Sequence, residues 1–480
     1  MIDIKKIIPV GHQLDAMVLL PGSKSVTNRA LLLSACCVGE TVLGNVLESE
    51  DTRIMIDGLR KLGVSVEYGN NQKADKQQII VTGLGGKLPV ANAEIYIGNS
   101  GTSVRFLTAL LALSGSGEYR LHGKTRMHQR PISDLVDTLR LLGGNIRYEN
   151  DNGSPPLLIG CRKELDKKII ESGTIKISVS GDVSSQFLSA ILMTIPIISS
   201  ESDVVVEVTG NLVSRPYVGM TVNMIKSFGV NPIYGEAVLK TEKLNTAAQQ
   251  RGAVVQGRSL PPIPAPVYGE DFKLFRFRKG EFYSSPQFYW IEPDASAASY
   301  FFAAAAICGG KVQVNGLSQK SMQGDIKFVN CLEQMGCDVV FDNDQNTTTV
   351  SRPLNKPLQG ISVDMNSISD TAQTLGVVAL FANGTTEIKN IEHARYKETD
   401  RIADLATELR KFGATIDEQR DGLKITPPKK LQPATIETYD DHRMAMSFSI
   451  AGLKVDGVII KNPDCVQKTF PNFFEELQKL

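Results

Sequence analysis

Leu139-Arg140-Leu141-Leu142-Gly143-Gly144 reads as the last turn of an amphipathic helix closed by an apolar pair and a glycine. The residue just past a helix C-terminus commonly takes a left-handed conformation, which glycine reaches without the steric penalty of a Cβ. The same phrase occurs at Leu59-Arg60-Lys61-Leu62-Gly63-Val64, Ile225-Lys226-Ser227-Phe228-Gly229-Val230, Leu332-Glu333-Gln334-Met335-Gly336-Cys337 and Leu409-Arg410-Lys411-Phe412-Gly413-Ala414, each time before a β-prone stretch. Gly63, Gly143, Gly229, Gly336 and Gly413 stand 80, 86, 107 and 77 residues apart. Such a period is too long for a solenoid repeat and fits a supersecondary unit with two helices and several strands. Phe473-Phe474-Glu475-Glu476-Leu477 reads as a sixth helix at the end of the chain. Six units divide naturally into two domains of three. Within each, strand, helix, strand, helix and paired strands alternate, so the expected class is α/β.

The one long interval contains residues 232–286, with Pro261-Pro262-Ile263-Pro264-Ala265-Pro266 and the aromatic, basic run Phe272-Lys273-Leu274-Phe275-Arg276-Phe277-Arg278. Two readings stand for it, an insertion bearing a linker or simply a longer hairpin.

Composition narrows the class of function. A chain of 480 residues exceeds the roughly 250–300 at which a single core stops growing, which agrees with two domains. Apolar residues are 42% and charged residues 22%, ordinary for a globular protein. Lys+Arg and Asp+Glu balance at 52 each, so no global field draws the chain to nucleic acid or an anionic membrane, and any anion site is local. The seven cysteines are odd in number, form no CxxC pair and are scattered through apolar stretches, so they are expected to be reduced core thiols. Met1-Ile2-Asp3-Ile4-Lys5-Lys6 lacks the apolar core of a signal peptide. The greasiest window, Phe301-Phe302-Ala303-Ala304-Ala305-Ala306-Ile307, is far short of the ~20 residues that span a bilayer. A cytoplasmic chain is expected.

Several segments place cations and small residues at helix starts. In Pro21-Gly22-Ser23-Lys24-Ser25-Val26-Thr27-Asn28-Arg29, Lys24 and Arg29 join free N–H groups and the positive end of a helix dipole. That is either an anion site or an ordinary capped helix with solvated charges, and it is not a Walker A loop. Gly98-Asn99-Ser100-Gly101-Thr102-Ser103-Val104-Arg105 puts glycines at a strand-to-helix turn, where a ligand can approach the backbone or where the turn is merely tight. Arg126-Met127-His128-Gln129-Arg130 places two arginines before a helix expected to start near Pro131. His122 and His128 have no cysteine or carboxylate partners at ligand spacing, so no metal is expected.

Val183-Ser184-Ser185-Gln186-Phe187 and Val213-Ser214-Arg215-Pro216-Tyr217 offer hydroxyls, an amide and a ring that suit a polyhydroxylated phosphate, or else Ser-rich caps. In Arg395-Tyr396-Lys397-Glu398-Thr399-Asp400-Arg401, a helical reading places Lys397, Glu398 and Arg401 on one face, functional or solvated. Tyr439-Asp440-Asp441-His442-Arg443 starts another helix with a cation in its first turn, which asks for an anionic partner. Lys468 and a carboxylate in the stretch from Asp364 to Asp370 complete the set.

Taken in order, these segments resemble the EPSP synthase family across nearly the whole chain except about 232–286. LPGSKSVTNRALLL and YKETDRIADLATELRKFGA are the most specific, supported by GNSGTSVRF, RMHQRPI, VSSQF, VSRPY, YDDHRMAM and QKTFP. The resemblance implies two inverse α/β-barrel domains of three βαβαββ units each, residues 21–291 and residues 1–20 with 292–480. The first strand would belong to the C-terminal domain, and ligands would bind between the domains. It implies that phosphoenolpyruvate and shikimate 3-phosphate are the substrates, with no cofactor and no metal, in a chain expected to be a monomer.

By motif position, Ser25, Arg29, Ser184, Ser185, Gln186, Ser214, Tyr217, Asp370 and Lys397 would hold shikimate 3-phosphate. Lys24, Gly101, Arg126, Arg401, Arg443 and Lys468 would hold phosphoenolpyruvate. Asp370 would serve the attacking hydroxyl as base, and Glu398 with Lys24 would protonate C3. Phe106 and His393 depart from the family pattern, which has proline and asparagine there in many members. Two rivals remain. A UDP-N-acetylglucosamine enolpyruvyl transferase would carry a lysine-asparagine pair where this chain has Lys24-Ser25. A non-catalytic phospho-ligand sensor would not need proton-transfer groups.

Overall fold

The computed structural model describes residues 3–69, 77–199, 202–235 and 272–480. The five repeat glycines all take the left-handed backbone their phrase demands: φ is 89° at Gly63, Gly143 and Gly229, 104° at Gly336 and 90° at Gly413. Each ends a helix and turns the chain into the hairpin that follows.

The hairpins belong to sheets that repeat one four-strand plan, to which the sheet of Thr174–Ser180 adds the short edge strand Ile170–Glu171. Asn92–Tyr96 runs parallel to Glu118–His122, which pairs antiparallel with Leu157–Gly160, which pairs antiparallel with Asn145–Tyr148. Parallel neighbours need a crossover, and the helix Gly101–Ser114 supplies it. Thr174–Ser180, Val204–Thr209, Leu274–Phe277 and Ile233–Tyr234 repeat the order, as do Ser362–Asp364, Thr386–Lys389, Gly422–Thr426 and Thr415–Gln419.

In three sheets a strand comes from a distant part of the chain. Phe288–Trp290 supplies the parallel edge beside Val38–Gly44. Leu14–Val18 supplies the parallel edge beside Gly310–Asn315. Ile4–Lys6 pairs antiparallel with Ile459–Lys461, which lies parallel to Thr435–Ile436. Ile4–Lys6 thus takes beside Ile459–Lys461 the antiparallel place that a hairpin strand takes in the other sheets.

By contact density the chain divides into two compact units, Met1–Lys24 with Asn45–Arg53 and Ile291–Leu480, and Ser25–Gly44 with Ile54–Trp290. The core of each is helical. A helix apolar on every side must be covered on every side. In the first unit Ala295–Cys308, Ala372–Ala379 and His442–Gly452 are buried at every residue. In the second, Lys24–Cys36 from Val26 onward, Gly101–Ser114 up to Leu113 and nearly all of Ser185–Ile198 are buried. Other helices are amphipathic. Arg401–Lys411 buries Ile402, Leu405, Ala406 and Leu409 at the spacing of one helical face. Sheets outside and apolar helices inside make each unit an inverse α/β barrel.

Residues 236–271 of the long interval, with the proline run 261–266, lie outside the described residues. Its flanks pair antiparallel, Ile233 with Arg276 and Tyr234 with Phe275, the register of a hairpin. All seven cysteines are free, but Cys161 is exposed, so the expectation of core thiols holds only for the other six. Among the described residues no helix is long and apolar enough to cross a membrane.

Candidate active site

Asp370 lies one residue before the end of the 3-10 turn Asn366–Thr371, which leads into Ala372–Ala379. Three cations meet its carboxylate: Lys397 Nζ and Arg401 Nη1 each lie 3.1 Å from Oδ1, and Arg443 Nη2 lies 2.8 Å from Oδ2. Burial alone would raise this carboxyl, but Arg443, Lys397, Arg401 and Lys24 together hold it well below the ordinary carboxylate range. Glu398 is bracketed by Arg401 Nη2 at 2.7 Å and Lys468 Nζ at 2.9 Å. Burial and then the neighbouring Arg401 pull Lys397 down more than Asp370 raises it.

Asp441 ties two of these cations to the backbone. It caps His442–Gly452 by accepting from the Arg443 N–H at 2.8 Å, and it accepts from Arg401 Nε at 2.7 Å. The cation in the first turn thus finds the anions its position requires. Lys24 belongs to the same unit. Its Nζ lies 3.3 Å from Asp51, and its backbone N–H donates to Asp294, the cap of Ala295–Cys308, at 3.1 Å.

His393 is buried, with Nε2 2.8 Å from the Ser369 hydroxyl. Burial, then the charge on Lys397, pushes its ring down to about 3, so the ring is neutral near pH 7. Buried His442 is likewise held well below its usual value, first by burial and then by Lys24 and Arg443.

The other unit gathers a second constellation. Arg29, 2% exposed, donates to Thr221 Oγ1 at 2.8 Å, to the Ser25 carbonyl at 2.9 Å, to Ser189 Oγ at 3.3 Å and to the Tyr217 carbonyl at 3.5 Å. Its guanidinium lies over the rings of Phe106 and Tyr217. All four acceptors are neutral, and burial lowers Arg29 to about 10. Ser184 caps Ser185–Ile198 through the Gln186 N–H, and the Gln186 amide reaches Thr102 at 3.4 Å. Ser214, with φ 51°, stands at the start of Arg215–Ser227, one turn before Tyr217.

Gly101 opens Gly101–Ser114 with Ser100 as its cap. A Cβ on Gly101 would stand 2.4 Å from Arg130 Nη2 and 2.8 Å from Arg105 Nη1. The glycine therefore lets two guanidinium groups close on one backbone carbon. Arg105 donates to the Gly101 carbonyl at 3.0 Å, and Arg130 donates to the Asn99 carbonyl at 3.0 Å. Arg126 is only partly buried and donates to Gln129 at 3.3 Å. Among the described residues no group of three or more His, Cys, Asp or Glu side chains is placed to hold a metal ion.

The family profile described as EPSP synthase (3-phosphoshikimate 1-carboxyvinyltransferase) matches residues 8–243 and 278–477. A 3-phosphoshikimate 1-carboxyvinyltransferase of Paraburkholderia phymatum is 44% identical over 465 residues, 96% of each chain. One of Ralstonia pickettii is 43% identical over 458 residues, 95% of this chain and 94% of the relative. The chain belongs to the EPSP synthase family. A solved EPSP synthase of Acinetobacter baumannii shares the fold, with a TM-score of 0.73 at 24% identity over 99% of this chain and 97% of that one.

One local expectation needs correction in this EPSP synthase. Lys397, Glu398 and Arg401 do not share a helical face: Glu392–Tyr396 is a 3-10 turn, Lys397 is extended and the helix begins only at Arg401. Their side chains converge because the extended step turns Lys397 back toward Asp370. The helix expected near Pro131 is present and starts at Ser133, after the 3-10 turn Met127–Gln129. Sequence reasoning did not single out Asp51 and Asp441 in the one unit, which meet Lys24 and Arg401, or Arg105 and Arg130 in the other, which close on Gly101. Arg105 and Arg130 were visible in the quoted motifs as cations near Gly101, whereas nothing local to Asp51 points to Lys24.

Proposed function

We propose that this chain transfers the enolpyruvyl group of phosphoenolpyruvate to the 5-hydroxyl of shikimate 3-phosphate and releases phosphate. As a member of the EPSP synthase family it is a 3-phosphoshikimate 1-carboxyvinyltransferase. The observation that carries the residue roles is the cluster around Asp370, in which a carboxylate and Glu398 sit among Lys397, Arg401, Arg443 and Lys468.

In the reaction the 5-hydroxyl oxygen bonds to C2 of phosphoenolpyruvate, its proton passes to a base, and C3 takes a proton with the former π pair. In the second half C3 gives up a proton, the double bond re-forms and the C2–O bond to phosphate breaks. We assign the base to Asp370 and the acid at C3 to Glu398 with Lys24. Asp370 and Lys397 are assigned to shikimate 3-phosphate, as are Ser25, Arg29, Ser184, Ser185, Gln186, Ser214 and Tyr217. Arg29 is the one whose donors already serve the Ser25 and Tyr217 carbonyls, so it holds these two in place and contributes charge. Lys24, Arg401, Arg443 and Lys468, with Gly101 and Arg126, are assigned to phosphoenolpyruvate, where forked and point cations suit carboxylate and phosphate.

Phosphate release from phosphoenolpyruvate tests the reading. Release is expected with shikimate 3-phosphate and none with UDP-N-acetylglucosamine. Lys24→Ala and Asp370→Ala are each expected to abolish turnover in a chain that remains folded by circular dichroism. Near-normal turnover in either variant would sink the assigned roles.

A further inference from the structure

Tyr439 and Asp440 both sit in the left-handed region, with φ of 55° and 56°. Consecutive non-glycine residues there cost of order 1–3 kcal/mol each and persist only where the surroundings hold them. These two lie directly before Asp441 and Arg443, the residues that fasten Arg401 and Asp370.

What holds the turn is Glu408. It lies on Arg401–Lys411, two helical turns after Arg401, and its side chain has no exposed surface. Glu408 Oε1 accepts from the Tyr439 hydroxyl at 2.8 Å. Oε2 accepts from the Glu437 backbone N–H at 3.1 Å and from Lys411 Nζ at 2.7 Å. The helix therefore grips the 437–443 segment twice. Arg401 meets Asp441 at one end, and Glu408 meets Glu437 and Tyr439 at the other. From the far side Thr438 Oγ1 donates to the Lys461 carbonyl at 3.0 Å, and the Asp441 N–H closes the turn on the Thr438 carbonyl at 2.8 Å. A fully buried carboxylate with a phenol, an amide and an ammonium on it defines position closely, because losing any donor leaves charge uncompensated.

We propose that Glu408 and Tyr439 are positioning residues that hold the 438–441 turn, and through it Asp441 and Arg443, in register with Arg401. The kinetic consequence rests on the proposed function, since Arg443 is assigned there to phosphoenolpyruvate. Tyr439 is 38% exposed, so Tyr439→Phe removes a hydroxyl without opening a cavity and tests the link in a folded chain.

Tyr439→Phe is expected to raise the KM for phosphoenolpyruvate about tenfold, with kcat and the KM for shikimate 3-phosphate within about threefold of the unaltered chain. That is the factor for ~1.4 kcal/mol, within the worth of a hydrogen bond to a charged group. Glu408→Gln, which can serve only one of its two neutral donors through a single oxygen, is expected to do the same or more. In an Arg443→Lys background Tyr439→Phe should add little, because both act through one side chain. In the free chain, amide hydrogen exchange at Glu437, Asp441 and Arg443 should quicken at least tenfold in Tyr439→Phe. This readout needs no substrate and stands apart from failure of the proposed function, which would show as no phosphate release from the unaltered chain. Unchanged exchange at these amides in folded Tyr439→Phe overturns the proposal. So does a KM for phosphoenolpyruvate within twofold of normal in an active chain, or a full tenfold effect persisting beside Arg443→Lys.

Discussion

His393 stands next to the Lys397, Arg401 and Asp370 cluster yet carries no charge of its own near neutrality, because burial and Lys397 push it down to about 3. Its folded value lies below its unfolded one, so the folded chain binds fewer protons there. The stability this provides is fully present above about pH 6.5 and is lost as pH falls toward 3, at up to about 1.4 kcal/mol per pH unit. His442 acts in the same direction. Asp370, held low by its cations, adds a loss only below about pH 4, the unfolded value of its carboxyl. Thermal midpoints measured from pH 7 to pH 4 should fall for the unaltered chain and fall less steeply for His393→Asn. Equal slopes would show that the ring is not held neutral. His393 was legible in the sequence only as a departure from its family pattern. Its bond to Ser369 joins residues 24 positions apart, and no local periodicity reports such a pairing.

Helices show where sequence speaks plainly. Ala295–Cys308 is apolar at nearly every position, which leaves no amphipathic face to read and predicts complete burial, as found. Its N-terminus rests on Asp294, which accepts from the Ala297 N–H at 2.9 Å and the Lys24 N–H at 3.1 Å. Asp294→Ala should cost about 1–2 kcal/mol of stability by loss of the cap. It should also loosen Lys24, so the KM for phosphoenolpyruvate is expected to rise in the same variant. A variant that loses stability with no change in KM would separate the cap from the site. The glycines that end the amphipathic helices were equally legible, since a left-handed residue after an apolar turn admits few side chains. The stretch from Glu392 to Arg401 was not. Lys-Glu-x-x-Arg spacing satisfies a helix and also an extended step after a 3-10 turn, and the choice between them is made by Asp370, far off in sequence.

Across the molecule the repeat count followed from glycine spacing and the α/β class from the alternation of strand and helix patterns, while of the borrowed strands only the first was implied, and only by the family resemblance. Ile4–Lys6 is too short to announce its partner, yet it closes the sheet of Ile459–Lys461. Ile7, next in line, donates its N–H to the Val458 carbonyl at 3.0 Å and packs on Gly452, where an added Cβ would come within 2.5 Å of the Ile7 side chain. Ile7→Ala should therefore destabilise by about 2–5 kcal/mol, seen as an earlier urea midpoint by circular dichroism. A change below about 0.5 kcal/mol, the range of ordinary surface substitutions, would mean that this closure contributes little.

The borrowed strands also set a timetable during synthesis. Ile4–Lys6 and Leu14–Val18 are made well before their partners Ile459–Lys461 and Gly310–Asn315. At about 5–20 residues per second the first strand waits roughly 20–90 s for its neighbour. The unit of Ser25–Gly44 and Ile54–Trp290 gains its own last edge, Phe288–Trp290, far sooner, so it is the one that can mature while translation continues. Until then Ile4–Lys6 is an open β edge, and its Lys5 and Lys6 are charges of the kind that discourage such an edge from pairing with the wrong chain.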